Sequence, residues 1–121
     1  MILIDTSVWV DHFRVPDEAV ARLIRTKTAA VHPFVLGELI MGNLLDWQRT
    51  VEGLRSLPEA EAVGEDDFIT FVADQKLQGS GVGFVDAHLL ASCRLGRGLR
   101  LWCKDKRLGN WAESLGVAWS P

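Results

Sequence analysis

This sequence predicts an α/β fold: a three-layer α/β/α sandwich around a mostly parallel sheet of four to five short strands. Two observations lead there. Short, strand-forming apolar runs alternate with helical segments, a pattern that places parallel strands under helices on both faces. Capping residues also stand at the junctions, where strand gives way to helix.

Residues 1–5 form a short apolar strand run, and Asp5, Thr6 and Ser7 supply capping side chains before the chain turns helical through VWVDHF. Pro16 and Asp17 open a second helix that runs through Arg25, and residues 29–32 read as the second strand. Pro33, suited to a first helical position, begins a helix that reaches about Gly42. Further helices are expected over 46–56 and from Asp66 to about Leu77, with a short strand at 60–63 between them. Gly79, Gly81 and Gly83 break the chain before a helix over Phe84 to Leu95. LRLWC at 99–103 is a buried strand, 106–115 a helix closed by Gly116, and VAW a final short strand.

With 121 residues, 48% of them hydrophobic and 24% charged, the chain has the composition of one globular domain spanning 1–121. No apolar run approaches membrane-spanning length. The apolar opening is interrupted by Asp5 and preceded by no basic region, so a signal peptide is not expected and a cytoplasmic location is. Cys93 and Cys103 lack zinc-binding spacing and are expected to be reduced core residues. A net charge of -3 gives no bulk attraction for nucleic acid. Locally, however, Arg94, Arg97, Arg100, Lys104, Lys106 and Arg107 crowd the approach to Asp105. Of these, Arg97, Arg100, Lys104, Lys106 and Arg107 are candidates for contacting a phosphate backbone, although a solvated helix face explains the same charges.

Four acidic residues lie at strand–helix junctions or in helices that could lean over one sheet edge: Asp5, Glu38, Asp86 and Asp105. Each sits beside strongly apolar sequence, where burial and mutual repulsion penalise ionisation. A hard divalent cation such as Mg²⁺ or Mn²⁺ would relieve that repulsion and leave room for a substrate phosphate. Asp5 and Asp105 could equally be helix caps, and Asp86 could simply favour a helix's first turn. Glu38 has no such alternative. Its segment PFVLGELIMG is apolar nearly all round, so the sequence offers it no solvated face and predicts a buried carboxylate. His12, His32 and His88 do not form a zinc set, and His88 is expected to face away from Asp86 on its helix.

These motifs together resemble the PIN-domain ribonucleases, and within them the toxin component of VapBC toxin–antitoxin modules. The resemblance spans essentially the full chain and rests on ILIDTSVWV, ELIMG, GVGFVDAHLLAS, LWCKDKRL and the closing LGVAW, in that order. It implies a PIN-like fold and an endoribonuclease that uses Mg²⁺ or Mn²⁺ held by Asp5, Glu38, Asp86 and Asp105, with Thr6 and Ser7 as supporting hydroxyls. It further implies an RNA substrate such as tRNA or rRNA, inhibition of translation, a cognate antitoxin that blocks the active site, a homodimer and higher toxin–antitoxin assemblies. Many relatives place Thr or Ser two residues before the last aspartate, where this chain has Cys103. A thiol is a weak hydrogen-bond partner, which leaves the positioning of Asp105 the least secure part of the set.

Two other classes share some of these features. A phospho-accepting receiver domain has similar length and a lysine that Lys104 could mimic, but it requires paired acids after the first strand, where this chain has Asp5-Thr6-Ser7. A catalytically idle PIN-like binding module has no reason to keep four repelling carboxylates. The metal-site reading predicts that acetyl phosphate leaves no stable phospho-adduct on the protein; intact mass measurement after incubation with Mg²⁺ checks this.

Overall fold

Apolar residues at the chain start fix the centre of the sheet. The computed structural model describes residues 1–121, and its central strand β1 (Ile2–Ile4) is buried along its whole length. A strand with apolar side chains on both faces can be covered only by helices on both faces. β1 pairs in parallel with β2 (Ala29–Ala30) on one side and β3 (Arg100–Trp102) on the other, giving the order β2-β1-β3.

The strands expected at 60–63 and 117–119 shrink to single parallel bridges. Val31 pairs with Glu59 outside β2, and Leu101 with Ala118 outside β3. Each bridge is a short ladder: the Val31 N–H donates to Pro58 and its carbonyl accepts from Ala60, both at 2.9 Å. The Leu101 N–H likewise donates to Val117 at 2.7 Å, and its carbonyl accepts from Trp119 at 2.9 Å. The sheet is therefore three strands with a one-residue fringe on each edge. Such short edges offer little unpaired backbone to other chains.

The helices are α1 (Thr6–Arg14), α2 (Glu18–Arg25), α3 (Pro33–Ile40), α4 (Trp47–Arg55), α5 (Glu65–Gln75), α6 (Phe84–Leu95) and α7 (Lys106–Ser114). Capping explains several starts: Asp5, Asp17 and Asp105 each accept backbone N–H groups at the head of α1, α2 and α7. The chain moves outward from β1 to β2 and Glu59, then returns to the far side of β1. Right-handed crossovers consequently put α1–α4 on one face and α5–α7 on the other. Packing agrees, with α1 against α3 and α3 against α4, and separately α5 against α6 and α6 against α7.

A continuous core of 26 buried hydrophobic residues joins the layers, with Trp9 and Trp102 both inside it. His88 is buried in an aromatic cluster, its ring stacked on Phe68 at 3.7 Å and edge-on to Phe34 and Phe84. It is core, as its place on the helix implies. Burial also holds the neighbouring His32 neutral, with its pKa pushed down to about 4.

Leu3, fully buried at the middle of β1, should be among the costliest truncations. Leu3→Ala is expected to lose about 2–5 kcal/mol of folding stability, as read by urea unfolding.

Candidate active site

Strand order reverses at β1, and the crevice at such a switch point lies beyond the carboxyl ends of the strands. Asp5 and Asp105 emerge there. The Asp5 N–H donates to the Trp102 carbonyl at 3.0 Å, a final rung between β1 and β3 that pins the aspartate to the sheet edge. Its carboxylate accepts the Thr6 N–H at 2.8 Å and the Ser7 hydroxyl at 3.2 Å. Asp105 caps α7 by accepting the Leu108 N–H at 2.8 Å. The capping alternative is thus observed for both residues, and it is compatible with a role at the site, since the cap orients the carboxylate.

Cys103 does not disturb Asp105. Its thiol lies 3.7 Å from the Asp105 backbone carbonyl rather than against the carboxylate, whose orientation comes from the Leu108 N–H. Burial and the nearby Asp5, Asp105 and Asp86 push that thiol's pKa up to about 11, so it stays protonated.

Asp86 enters in the first turn of α6, half-buried. Glu38 comes from the opposite helical layer, and here the sequence expectation is corrected: Glu38 is exposed. Its helix buries Val35 and Leu39, one turn apart, while Met41 is 86% exposed. The segment is apolar nearly all round because Val35 and Leu39 meet the core, Leu36 packs against it and Phe34 packs on Phe84 and His88, which leaves Glu38 on the strip that faces the open groove. Glu38 still has a partner, as its Oε1 accepts the Thr6 hydroxyl at 2.6 Å. Thr6 therefore links Glu38 to the Asp5 turn.

The four carboxylates share one electrostatic environment. Asp86 is raised to about 6, chiefly by burial and then by Asp5, Asp105 and Glu38. Asp5 is raised by burial, and further by Glu38 and Asp105, against the lowering effect of the Thr6 and Ser7 donors. Oxygen donors that suppress one another's ionisation suit a hard divalent cation, which reverses the penalty. The arrangement is not a finished cage, because no three acidic, histidine or cysteine side chains converge on one point. Glu38 and Asp105 instead each spend an oxygen on a hydrogen bond of their own, and Asp5 spends both.

The basic cluster read from the sequence is divided by the fold. Arg100 begins β3 and Arg97 follows α6, so both lie at the amino end of the sheet, about 10 Å or more of strand length from the carboxylates. Lys104 is paired with Asp11 at 2.7 Å. Arg107 alone lines a small recess with Asp86 and Asp105, its Nη1 donating to the Gly81 carbonyl at 3.2 Å. Lys106 is exposed next to it.

One feature of the neighbourhood escapes pattern reading. A groove of about 550 Å³ runs from Thr6 and Glu38 past Val10 and Phe13 to Leu44 and Leu45. Its signal in the sequence is the pair Leu44-Leu45 in a loop, with Leu45 93% exposed. Trp47, 45% exposed, sits at the end of this loop and donates its indole N–H to the Ile40 carbonyl at 2.9 Å.

Residues 2–113 match the PIN domain family. The chain is also 39% identical over 118 residues to "Ribonuclease VapC32" from Mycobacterium tuberculosis, in strains CDC 1551 / Oshkosh and ATCC 25618 / H37Rv. Each alignment covers 98% of this chain and 95% of the relative. The receiver-domain alternative falls with these matches.

Raised carboxylate pKa values have a cost in stability. Because the Asp86 proton is held more tightly in the folded state than at its ordinary value of 3.8, stability falls as pH rises from there to about 6 and is flat above. Solvent screening of this half-buried group leaves a penalty of about 1 kcal/mol. Asp86→Asn should therefore stabilise the metal-free protein by that amount at pH 8 and negligibly at pH 4; urea unfolding in EDTA at the two pH values is the check.

Proposed function

The chain belongs to the PIN-domain family, and from that premise we propose that it is a divalent-metal-dependent endoribonuclease, acting as the toxin of a type II toxin–antitoxin system. What supports this is the mutual electrostatic influence of Asp5, Asp86, Asp105 and Glu38 near the carboxyl edge of the sheet, which with burial raises Asp86 to about 6. The printed name of the Mycobacterium tuberculosis relatives, a ribonuclease, supports the substrate class.

Asp5 and Asp86 would ligate Mg²⁺ or Mn²⁺ directly, Asp105 directly or through water, and Glu38 would ligate or orient the attacking water. A cation held by these residues would lower the pKa of water and neutralise charge on the phosphoryl oxygens. The remaining work belongs to the protein. Thr6 and Ser7 hold the Glu38 and Asp5 carboxylates through their hydroxyls, at 2.6 and 3.2 Å. Asp5, anchored to Trp102, keeps one wall fixed, while Glu38 and Asp105, both exposed, face incoming substrate from the other sides. Cleavage would leave a 5′ phosphate and a 3′ hydroxyl on the RNA.

Activity of this kind in the cytoplasm needs restraint. The apolar groove begins at Thr6 and Glu38, so an antitoxin segment with an apolar face seated in it would reach the carboxylates and cover them. The chain would function as a single nuclease domain over 1–121, paired as a homodimer and gathered with antitoxin into larger assemblies. Inhibition of translation would follow from cutting tRNA or rRNA.

Asp5→Asn or Asp86→Asn should reduce metal-dependent RNA cleavage by a factor of a hundred or more, on the order expected for loss of transition-state charge stabilisation, with circular dichroism unchanged. Mapping of new RNA 5′ ends after a short expression pulse, with Asp5→Asn as control, gives the test. Identical end maps for the two folded proteins would sink the nuclease assignment.

A further inference from the structure

Resting on the phosphodiester reading above, we propose that Arg107 is a phosphate clamp of the cleft and that Gly81 is the residue that positions it. Arg107 shares a recess of about 90 Å³ with Asp86 and Asp105, and Nη1 of its guanidinium donates to the Gly81 carbonyl at 3.2 Å. A Cβ built on Gly81 would collide with that nitrogen and lie 3.1 Å from Cζ. Glycine at 81 thus serves two needs, a φ of +88° and an open seat for the arginine.

The arginine's other commitments are few. A guanidinium carries five N–H donors, and one goes to Gly81. The ion pairs of the structure are Arg25–Glu18 and Lys104–Asp11, so Arg107 is not locked to either of the carboxylates beside it. It also stands in the first turn of α7, exposed, with the Asp105 cap already committed to the Leu108 N–H. A cation held by a neutral carbonyl, exposed beside the carboxylates and ion-paired to neither, is placed for an anion that arrives from outside. The remaining fork of donors fits the non-bridging oxygens of a phosphodiester. Arg107 thereby offsets the repulsion between the carboxylates and the RNA backbone.

Gly79 supplies a control within the same loop. Its φ is +74°, so a side chain there is strained as at Gly81, but nothing lies within 4 Å of the position its Cβ would take.

Binding of a short mixed-sequence single-stranded RNA, in Mg²⁺ and in the Asp5→Asn background, is measured by fluorescence anisotropy across a salt series. Arg107→Ala should weaken binding on the order of tenfold and reduce the slope of log affinity against log salt by about 0.7. Gly81→Ala should reproduce both changes, add nothing to Arg107→Ala in the double variant, and differ from Gly79→Ala, which keeps the parental slope. Thermal unfolding of every variant separates loss of fold from loss of the clamp. An unchanged slope in Arg107→Ala, or equal losses in Gly79→Ala and Gly81→Ala, overturns the proposal. Cleavage by the wild-type chain distinguishes the two levels. If it cuts RNA and Arg107→Ala cuts equally well with an unchanged slope, the clamp is wrong and the nuclease stands. If it cuts nothing while RNA binding still follows Gly81 and Arg107, the clamp stands and the nuclease falls.

Discussion

One hydrogen bond, from the Asp5 N–H to the Trp102 carbonyl, closes the ladder between β1 and β3 and sets where the chemistry sits. Beyond it the strands end and their helices begin, so the last ordered backbone of the sheet carries the first carboxylate of the cleft. Strand order reverses at this same pair. Chain leaving β1 goes to one face and chain leaving β3 to the other, and the gap between them cannot be filled by a crossover. Asp86 and Glu38 reach that gap from opposite layers. The two layers meet over the edge through aromatic contacts, Phe34 against Phe84 at 5.8 Å and against His88 at 4.8 Å.

The site is built at the expense of stability. Four carboxylates near one another raise the penalty of ionising Asp86 and Asp5, which a core of 26 hydrophobic residues has to tolerate. The structure limits that cost by giving the acids second tasks. Asp5 and Asp105 are helix caps, worth about 1 kcal/mol each in favour of the fold. Glu38 holds the Thr6 hydroxyl. Only Asp86 has no hydrogen-bonded partner of this kind, and it is the carboxylate raised to about 6.

Charge is sorted by position rather than by abundance. Six cations cluster in the sequence from 94 to 107, yet the fold sends Arg97 and Arg100 to the amino end of the sheet, ties Lys104 to Asp11, and leaves Arg107 at the recess. An acidic protein would in this way offer a phosphate one exposed guanidinium, hydrogen-bonded to Gly81, without bulk attraction for nucleic acid. The apolar groove that starts at Thr6 and Glu38 brings a second kind of surface to the same place, so substrate and a blocking partner would meet at shared residues.

The order of elements, the helix caps and the acidic quartet were legible because each rests on local chemistry. Alternating apolar runs define β1, β2 and β3, and Asp5, Asp17 and Asp105 mark helix starts by bonding their own neighbours. The outer strands were overstated. Residues 60–63 and 117–119 are strand-like in composition, but their pairing depends on how far the edge of the sheet extends, which leaves only one bridge each. The all-apolar helix predicts a buried Glu38, and only tertiary packing shows that its apolar residues are covered by the core and the Phe34 cluster while Glu38 itself faces an open groove. Likewise Gly81 reads as a chain break in sequence and becomes a seat for Arg107 only when two segments 26 residues apart are brought together. Sequence determined which groups could do the chemistry, since residue type and local capping are short-range properties. Their exposure, partners and division between the two ends of the sheet were decided by the fold, since these depend on contacts that no local pattern encodes.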